Sequence, residues 1–600
     1  MGMHASTCPT EPLKGARSKA GLTAAALTLA VLAVWRMPDA LGLPSGSVAF
    51  AGHPLSVALV AAIFLLFRHA FACGDVRLRN ISCGIGLVFS GFTVVGKQME
   101  AAGTLPPFGW GTALGGLLSL LLLALVYGSA VLLIYQGAEA ITQQKPASQK
   151  ESLFSRILGN GFVVLPFLML CWVPVWLAFW PGTFMHDAVT QFYTYLDWQH
   201  SAHHPLLHTL LMSSCIMLGI DNSPDGSAAI GLAIYSVVQM LLLASMLAYA
   251  CHWLRRRSAP LWFRACLTLL FALFPFYSLW SFNAQKDVLF AGLAMLFVLQ
   301  LTDVWREGFS LWRIVRFGLL ALLMMLMRNN GVYALLFLIP FAVLWAKGRR
   351  LRTGGLLAGC AALYFLANGL LMWSLEATSP SKVEFMSIPL QQIARTLRDD
   401  PAATEADTDG LLDILYGGSS AEVYVPLVAD PVKWATIDDT VDEYLPELLS
   451  LWVKMSAGHL KPYAEAFLAQ NLPYFLPGTN MLYRFDMGIA QIELYPIEEH
   501  SYFPALRTLY QGYEQTLTLF GLPGVRLLSD TAFYVWLCIA GLGLALYRRE
   551  SQWIVSFVFL LGIWATCLVG PVAIMRYMLS FFYAVPVLLG AMLAPRGGQV

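Results

Sequence analysis

Charge is what this sequence has least of. Only 12% of its 600 residues are Asp, Glu, Lys or Arg, about half the share of a soluble globular chain. With 58% hydrophobic residues and a mean hydropathy of +0.64, lipid is the expected main solvent. Cysteine is sparse and unpatterned. Ten residues are scattered through apolar runs with no CxxC or Cys/His ligand spacing. None falls between Glu376 and Asp530, which excludes disulfide stapling of the one sizeable polar region. Gly-rich phosphate loops, nucleophile elbows and Walker motifs are absent, and the basic residues flank apolar runs without interleaved aromatics. Those absences argue against P-loop, nucleophile-elbow hydrolase and nucleic-acid-binding classes. No cleavable signal is evident: Met1 to Ala20 is polar and basic, and the apolar run behind it reads as an anchor. No internal repeat emerges.

What is present is a series of apolar runs. They lie at 21–38, 54–72, 81–97, 111–137, 160–180, 227–253, 260–281, 286–304, 313–328, 331–347, 354–375, 531–547, 552–571 and 577–594. A span needs roughly 20 residues, so these runs predict an all-α polytopic membrane protein of about 14 transmembrane helices. Basic clusters set the orientation. Arg255-Arg256-Arg257, the group Lys347, Arg349, Arg350 and Arg352, the pair Arg548-Arg549, and Lys145, Lys150 and Arg156 are all expected on the cytoplasmic side. They agree only if the short run Pro205–Leu218 lies at the outer surface without crossing.

The region 376–530 holds 22 acids against 9 bases, whereas the rest holds 14 against 28. This segregation predicts an exported, mainly helical acidic cap, with helical periodicity at Val441–Leu451 and Tyr463–Leu472 and a loop at Pro401–Gly410. The expected organisation is a cytoplasmic tail (1–20), a four-helix membrane module (21–157) and a membrane core (158–375) with an outer loop at 181–226. The cap (376–530) and the C-terminal membrane helices (531–600) complete it.

Polar segments then converge on the outer face. Trp180–Tyr193 reads W-P-G-T-F-M-H-D-A-V-T-Q-F-Y and places Asp187, His186 and Gln191 where a membrane helix surfaces. Asp187 fits a general base; a helix cap is the plain alternative. His203, His204 and His208 follow. His204 and His208 have metal-ligand spacing, but Pro205 disfavours helical geometry at His204, so substrate contact or orientation of Asp187 is preferred and no metal is expected. Lys286-Asp287 suits a phosphate or a salt-bridged helix start. Arg328 and Arg576 offer forked donors to an anion on a face where positive charge is unusual, with Asn329 and Tyr577 beside them. Gln391, Gln392 and Arg395, in S-I-P-L-Q-Q-I-A-R, fit sugar or phosphate contacts as well as they fit a structural loop.

The pattern P-G-x-x-x-x-D-x-x-x-Q followed by H-H-P-L-L resembles the GT-C superfamily of integral-membrane glycosyltransferases. Lys286-Asp287, Arg328-Asn329-Asn330-Gly331 and Ile388-Pro389-Leu390-Gln391-Gln392 look like further segments of a bacterial branch, and the likeness runs from about 160 to 594. The resemblance implies an enzyme of the bacterial inner (cytoplasmic) membrane with its active site on the extracytoplasmic face. It would take a sugar from a polyprenyl-phosphate donor, usually with inversion and often without metal, to a glycan, lipid or protein acceptor. The family's loop acid maps onto Asp187, and its phosphate-binding bases map onto Arg328, Arg576 and Lys286. The paired acids of several branches are missing, because His186 precedes Asp187. A transporter or flippase of lipid-linked glycans, or a scaffold with an acidic cap, is the rival reading. The flippase predicts ionisable groups at mid-membrane depth and interrupted, repeated spans.

Overall fold

The computed structural model describes residues 16–43, 53–107, 109–143, 153–407, 410–416, 422–436 and 438–596. Most of the expected N-terminal tail, the bases Lys145 and Lys150, and the middle of the acidic stretch 401–410 lie outside those residues. Among the described residues there are helices and isolated backbone bridges but no strands. Among the described residues eleven helices are long and apolar enough to cross a membrane, and Leu261–Leu273 with Pro275–Ser281 forms a twelfth unit bent by 52°. The chain is an all-α polytopic membrane protein. Two expected spans are short, at 17 residues (Leu311–Met327) and 16 (Asn330–Trp345). At 1.5 Å per residue they fall below a typical hydrocarbon thickness.

Local chemistry sets several helix ends. Asp75 accepts from Leu78 N at 2.9 Å and Asp530 from Phe533 N at 2.8 Å, which satisfies amides that the helix itself leaves open. Gly103 closes Val76–Ala102 in a left-handed conformation. Successive helices run back and forth between two ends. Exposed Trp35, Trp110 and Trp373 mark one end, and Trp262 and Trp312 the other, as the two interfaces of a bilayer favour.

Lys286–Glu307 and Met575–Met592 form the centre: 83% of each apolar window is buried, against 22% for Arg350–Ser374 and 17% for Pro54–Ala72. Both central helices begin at the same end of the bundle. Region 376–530 sits at that end in two parts. Helices Ser387–Asp399, Leu445–Ser456 and Leu460–Asn471 enclose a core that includes Leu390, Ile393, Leu448 and Tyr463. The helical periodicity expected there is present. The stretch 475–503 contains no helix, so this part of the cap departs from the mainly helical expectation. Its order comes from backbone pairing to the membrane core.

Leu206–Asp221 packs with Asp187–Leu196 and Ala229–Arg256. His204, just before its start, contacts Lys286 at 3.1 Å. Beyond its far end, Ser227 donates to Pro496 O at 2.8 Å. Both ends therefore meet elements at the same end of the bundle, which is the arrangement expected of a helix that does not cross.

Candidate functional site

The segment Trp180–Met185 is held from both sides. Phe184 N donates to Gly488 O and Ala490 N donates back to Phe184 O, each at 2.8 Å, while Ala284 N donates to Thr183 O at 3.1 Å. Gly182 has φ +136°, and a Cβ there would lie 2.3 Å from Ser236 Oγ. Only glycine fits this close approach. The segment ends at His186, whose φ of +47° is strained for a side chain of that size. His186 precedes Asp187, the first residue of the helix Asp187–Leu196.

Asp187 is thereby aimed at the starts of the two central helices. Its Oδ2 accepts from Lys286 Nζ at 2.6 Å and lies 3.2 Å from Arg576 Nη2. Asp287, fully buried, forms an ion pair with Arg328 and lies 3.8 Å from Arg576 Nε. Arg328 stacks over Tyr577 at 4.3 Å, and Arg576 donates to Gln285 Oε1 at 2.6 Å. Asp486 closes the cluster, 3.9 Å from Arg576 and 3.6 Å from His186 Nε2. Three carboxylates thus face three cations, drawn from five separate parts of the chain.

Burial opposes ionisation of Asp187, but Lys286 and Arg576 outweigh it and hold the carboxyl well below its usual range. Burial, with Lys286 adding to it, holds the His204 imidazole well below its ordinary range. His204 is therefore neutral at neutral pH and presents Nδ1 to Lys286. Gln191 is fully buried. Its Nε2 donates to Asp187 O at 3.1 Å, and its Oε1 lies 2.7 Å from His208 Nδ1. His208 Nε2 meets Tyr235 OH at 2.7 Å. With both ring nitrogens engaged this way, His208 braces the helix that presents Asp187 and does not join His204 in a ligand pair.

The other expected site residues divide. Asn329 lies behind the cluster, donating to Ala202 O at 3.0 Å and accepting from Tyr364 OH at 3.2 Å. His203 is exposed beside His204, its ring 4.5 Å away. Gln391, Gln392 and Arg395, for which substrate contact and a structural role were both open, are bonded within the cap and not to the cluster. Gln391 donates to Val425 O at 2.6 Å, Gln392 donates to Tyr463 O at 3.1 Å, and Arg395 is paired with Glu465 at 2.7 Å and Asp399 at 2.6 Å. The amphipathic helix Ser387–Asp399 turns all three into the cap, where buried polar groups need partners. Gln285 and Asp486 were not anticipated. Gln285 directly precedes the Lys286-Asp287 pair, whereas nothing separates Asp486 from the many other acids of the cap.

The model of a family of unknown function (DUF6020) matches residues 193–596, beginning six residues after Asp187. No curated protein and no solved structure matches. Because the match spans more than half of the sequence and takes in Lys286, Asp287, Arg328 and Arg576, the chain belongs to the DUF6020 family.

Proposed function

We propose that this protein is a glycosyltransferase of the bacterial inner membrane that moves a sugar from a polyprenyl-phosphate donor to an extracytoplasmic glycan, lipid or protein acceptor. One observation carries the reading: Asp187 is held by Lys286 and Arg576, beside the Asp287–Arg328 pair, at one end of the bundle. The opposite end carries Arg255-Arg256-Arg257 and Arg548-Arg549, which the positive-inside rule favours as cytoplasmic. About fourteen spans, with the short helices Leu311–Met327 and Asn330–Trp345 counted as crossings, accompany that orientation.

A donor phosphate competes with Asp187 for Lys286 and Arg576. As it takes their hydrogen bonds, the carboxylate is released towards the acceptor. Asp187 removes the acceptor hydroxyl proton, the acceptor oxygen bonds to the anomeric carbon, and the carbon–oxygen bond to phosphate breaks with its electrons passing to the phosphate. Arg576 and Lys286 stabilise that leaving charge, and retention of donor and acceptor at the interface supplies proximity. His186, His203, His204 and Tyr577 border the reacting groups. No metal or cofactor is required by these steps.

Against flipping, the ionisable residues cluster at helix ends and not at mid-span: Lys286 begins its helix, and Arg328 follows the last residue of another. The test is reconstitution with a labelled polyprenyl-phosphate sugar. Asp187→Asn should lower transfer by about 10²–10⁴-fold while the variant still folds. Undiminished transfer would remove Asp187 as the base, and movement of intact donor lipid without transfer would favour the flippase.

A further inference from the structure

A second concentration of positive charge lies in the otherwise acidic cap. Arg484 and Arg526 border a shallow surface cleft, together with Thr479, Met481, Asp530 and Met575. Arg526 Nη2 donates to Gly478 O at 2.9 Å and to Asn480 Oδ1 at 2.8 Å, and Arg484 Nη2 reaches the same Asn480 oxygen at 3.4 Å. Arg484 also donates to Gln515 O. The two guanidiniums are close enough to repel each other. Among the described residues neither is in an ion pair. Asp530, which lines the cleft, accepts from the Gly478 and Phe533 amides and lies within electrostatic reach of Arg526, as Glu514 does of Arg484. The Thr479 hydroxyl oxygen is buried without a hydrogen-bond partner. Two adjacent cations and an unsatisfied hydroxyl make a site suited to an anion.

The chain nearby indicates where that anion comes from. Leu522 N donates to Leu519 O at 3.0 Å, closing a tight turn whose central residues, Phe520 and Gly521, both have positive φ (+53° and +72°). Such a turn favours Asn or Gly at its first central position. Phe520 sits there and is 85% exposed, with Leu522 58% and Leu527 41% exposed beside it. An aromatic side chain in a left-handed turn, displayed with two leucines, is unfavourable in water and suited to an apolar medium. The apolar helix Thr531–Arg548 begins a few residues later.

We propose that the Leu519–Leu527 segment inserts into the headgroup–acyl boundary and that Arg484 and Arg526 bind the phosphate of an anionic membrane phospholipid, with the Thr479 hydroxyl as a further donor. Shallow insertion of apolar side chains beside cations is how interfacial segments hold to a bilayer. Asp530 and Glu514 offset part of the charge of the two guanidiniums, and a net-negative headgroup balances the rest, whereas a zwitterionic one brings an ammonium towards them. The proposal does not depend on sugar transfer.

Native mass spectrometry of the full-length protein in detergent, with phosphatidylglycerol or phosphatidylcholine added, tests the proposal. Retained phosphatidylglycerol should exceed phosphatidylcholine, and Arg484→Gln with Arg526→Gln should lower that retention on the order of twentyfold. Arg484→Lys with Arg526→Lys should keep most of it, and Phe520→Ser should lower it with both arginines intact. Equal retention by the double glutamine variant, at an unchanged melting temperature, overturns the site. Equal retention of the two lipids also overturns it. Displacement of the lipid by millimolar inorganic phosphate would assign the cleft to a soluble anion and overturn the lipid assignment.

Discussion

Asp287 has no exposed side-chain surface, and Arg328 is its direct ion-pair partner. Arg328→Met should therefore destabilise the protein by about 3–5 kcal/mol, the range for removing one member of a buried pair. Thermal unfolding in detergent reads this, and an unchanged melting temperature would mean that Arg576, 3.8 Å from Asp287, compensates alone. The pH profile gives a second prediction. The Asp187 carboxyl is held below its unfolded value, so its stabilising effect is complete above the ordinary carboxylate range and is lost only as pH falls through the depressed folded value. For the proposed sugar transfer, Asp187 stays ionised throughout mild acid before the donor binds, and kcat/KM should show no acid limb from it between about pH 5 and 7. In the proposed mechanism a bound donor phosphate would neutralise Lys286 and Arg576 and repel the carboxylate, so the acid limb of kcat should lie at higher pH than that of kcat/KM. Coincident limbs would contradict release of the base by the donor. At this scale the sequence exposed what apolar surroundings make conspicuous. Lys286, Asp287, Arg328 and Arg576 stand in hydrophobic stretches where an ion needs a partner. Gln391, Gln392 and Arg395 stayed ambiguous because a polar residue on an amphipathic helix looks the same whether it meets a substrate or a neighbouring carbonyl.

Apolar length and basic flanks made most of the bundle legible at the scale of elements, and they predict that Leu206–Asp221 breaks the alternation of the helices. The contacts of His204 with Lys286 and of Ser227 with Pro496 place both of its ends together with the site. Single cysteines at Trp198 and Asn222, in a cysteine-free background, should both react with a membrane-impermeant maleimide added from outside intact cells. Labelling of position 222 from the cytoplasm alone would make this helix a crossing and invert every helix after it. The irregular stretch 475–503 was not legible. Its order comes from distant partners, through the Phe184–Gly488 and Trp180–His500 pairings, and such pairings leave no periodicity in the local sequence. Asp486 was hidden for the same reason, being an ordinary cap acid until that stretch carries it to Arg576.

The first four helices lie before the family match, yet at the scale of the whole molecule they are built into the core. Phe89 stacks on Trp536 with ring centres 4.2 Å apart, and Tyr135 OH donates to Ala540 O at 2.6 Å. At the far end Arg548 pairs with Glu139 at 2.7 Å. At the site end the module also holds the cap, since Leu105 N donates to Glu465 at 2.7 Å and Arg395 donates to Gly103 O at 3.3 Å. In lipid, helices gain no hydrophobic drive to associate, so packing and polar contacts of this kind hold them together. A chain of residues 158–600 would lose the Trp536 stack, leave the buried Arg548 without Glu139 and remove the support under the Arg395–Glu465 pair. It should melt at a lower temperature than the full protein, and limited proteolysis should open new cuts between 382 and 471 before the membrane core is lost. An unchanged melting temperature and protease pattern would make the module a passive attachment. The loss expected here follows from its role as the footing on which the cap stands over the ionic cluster.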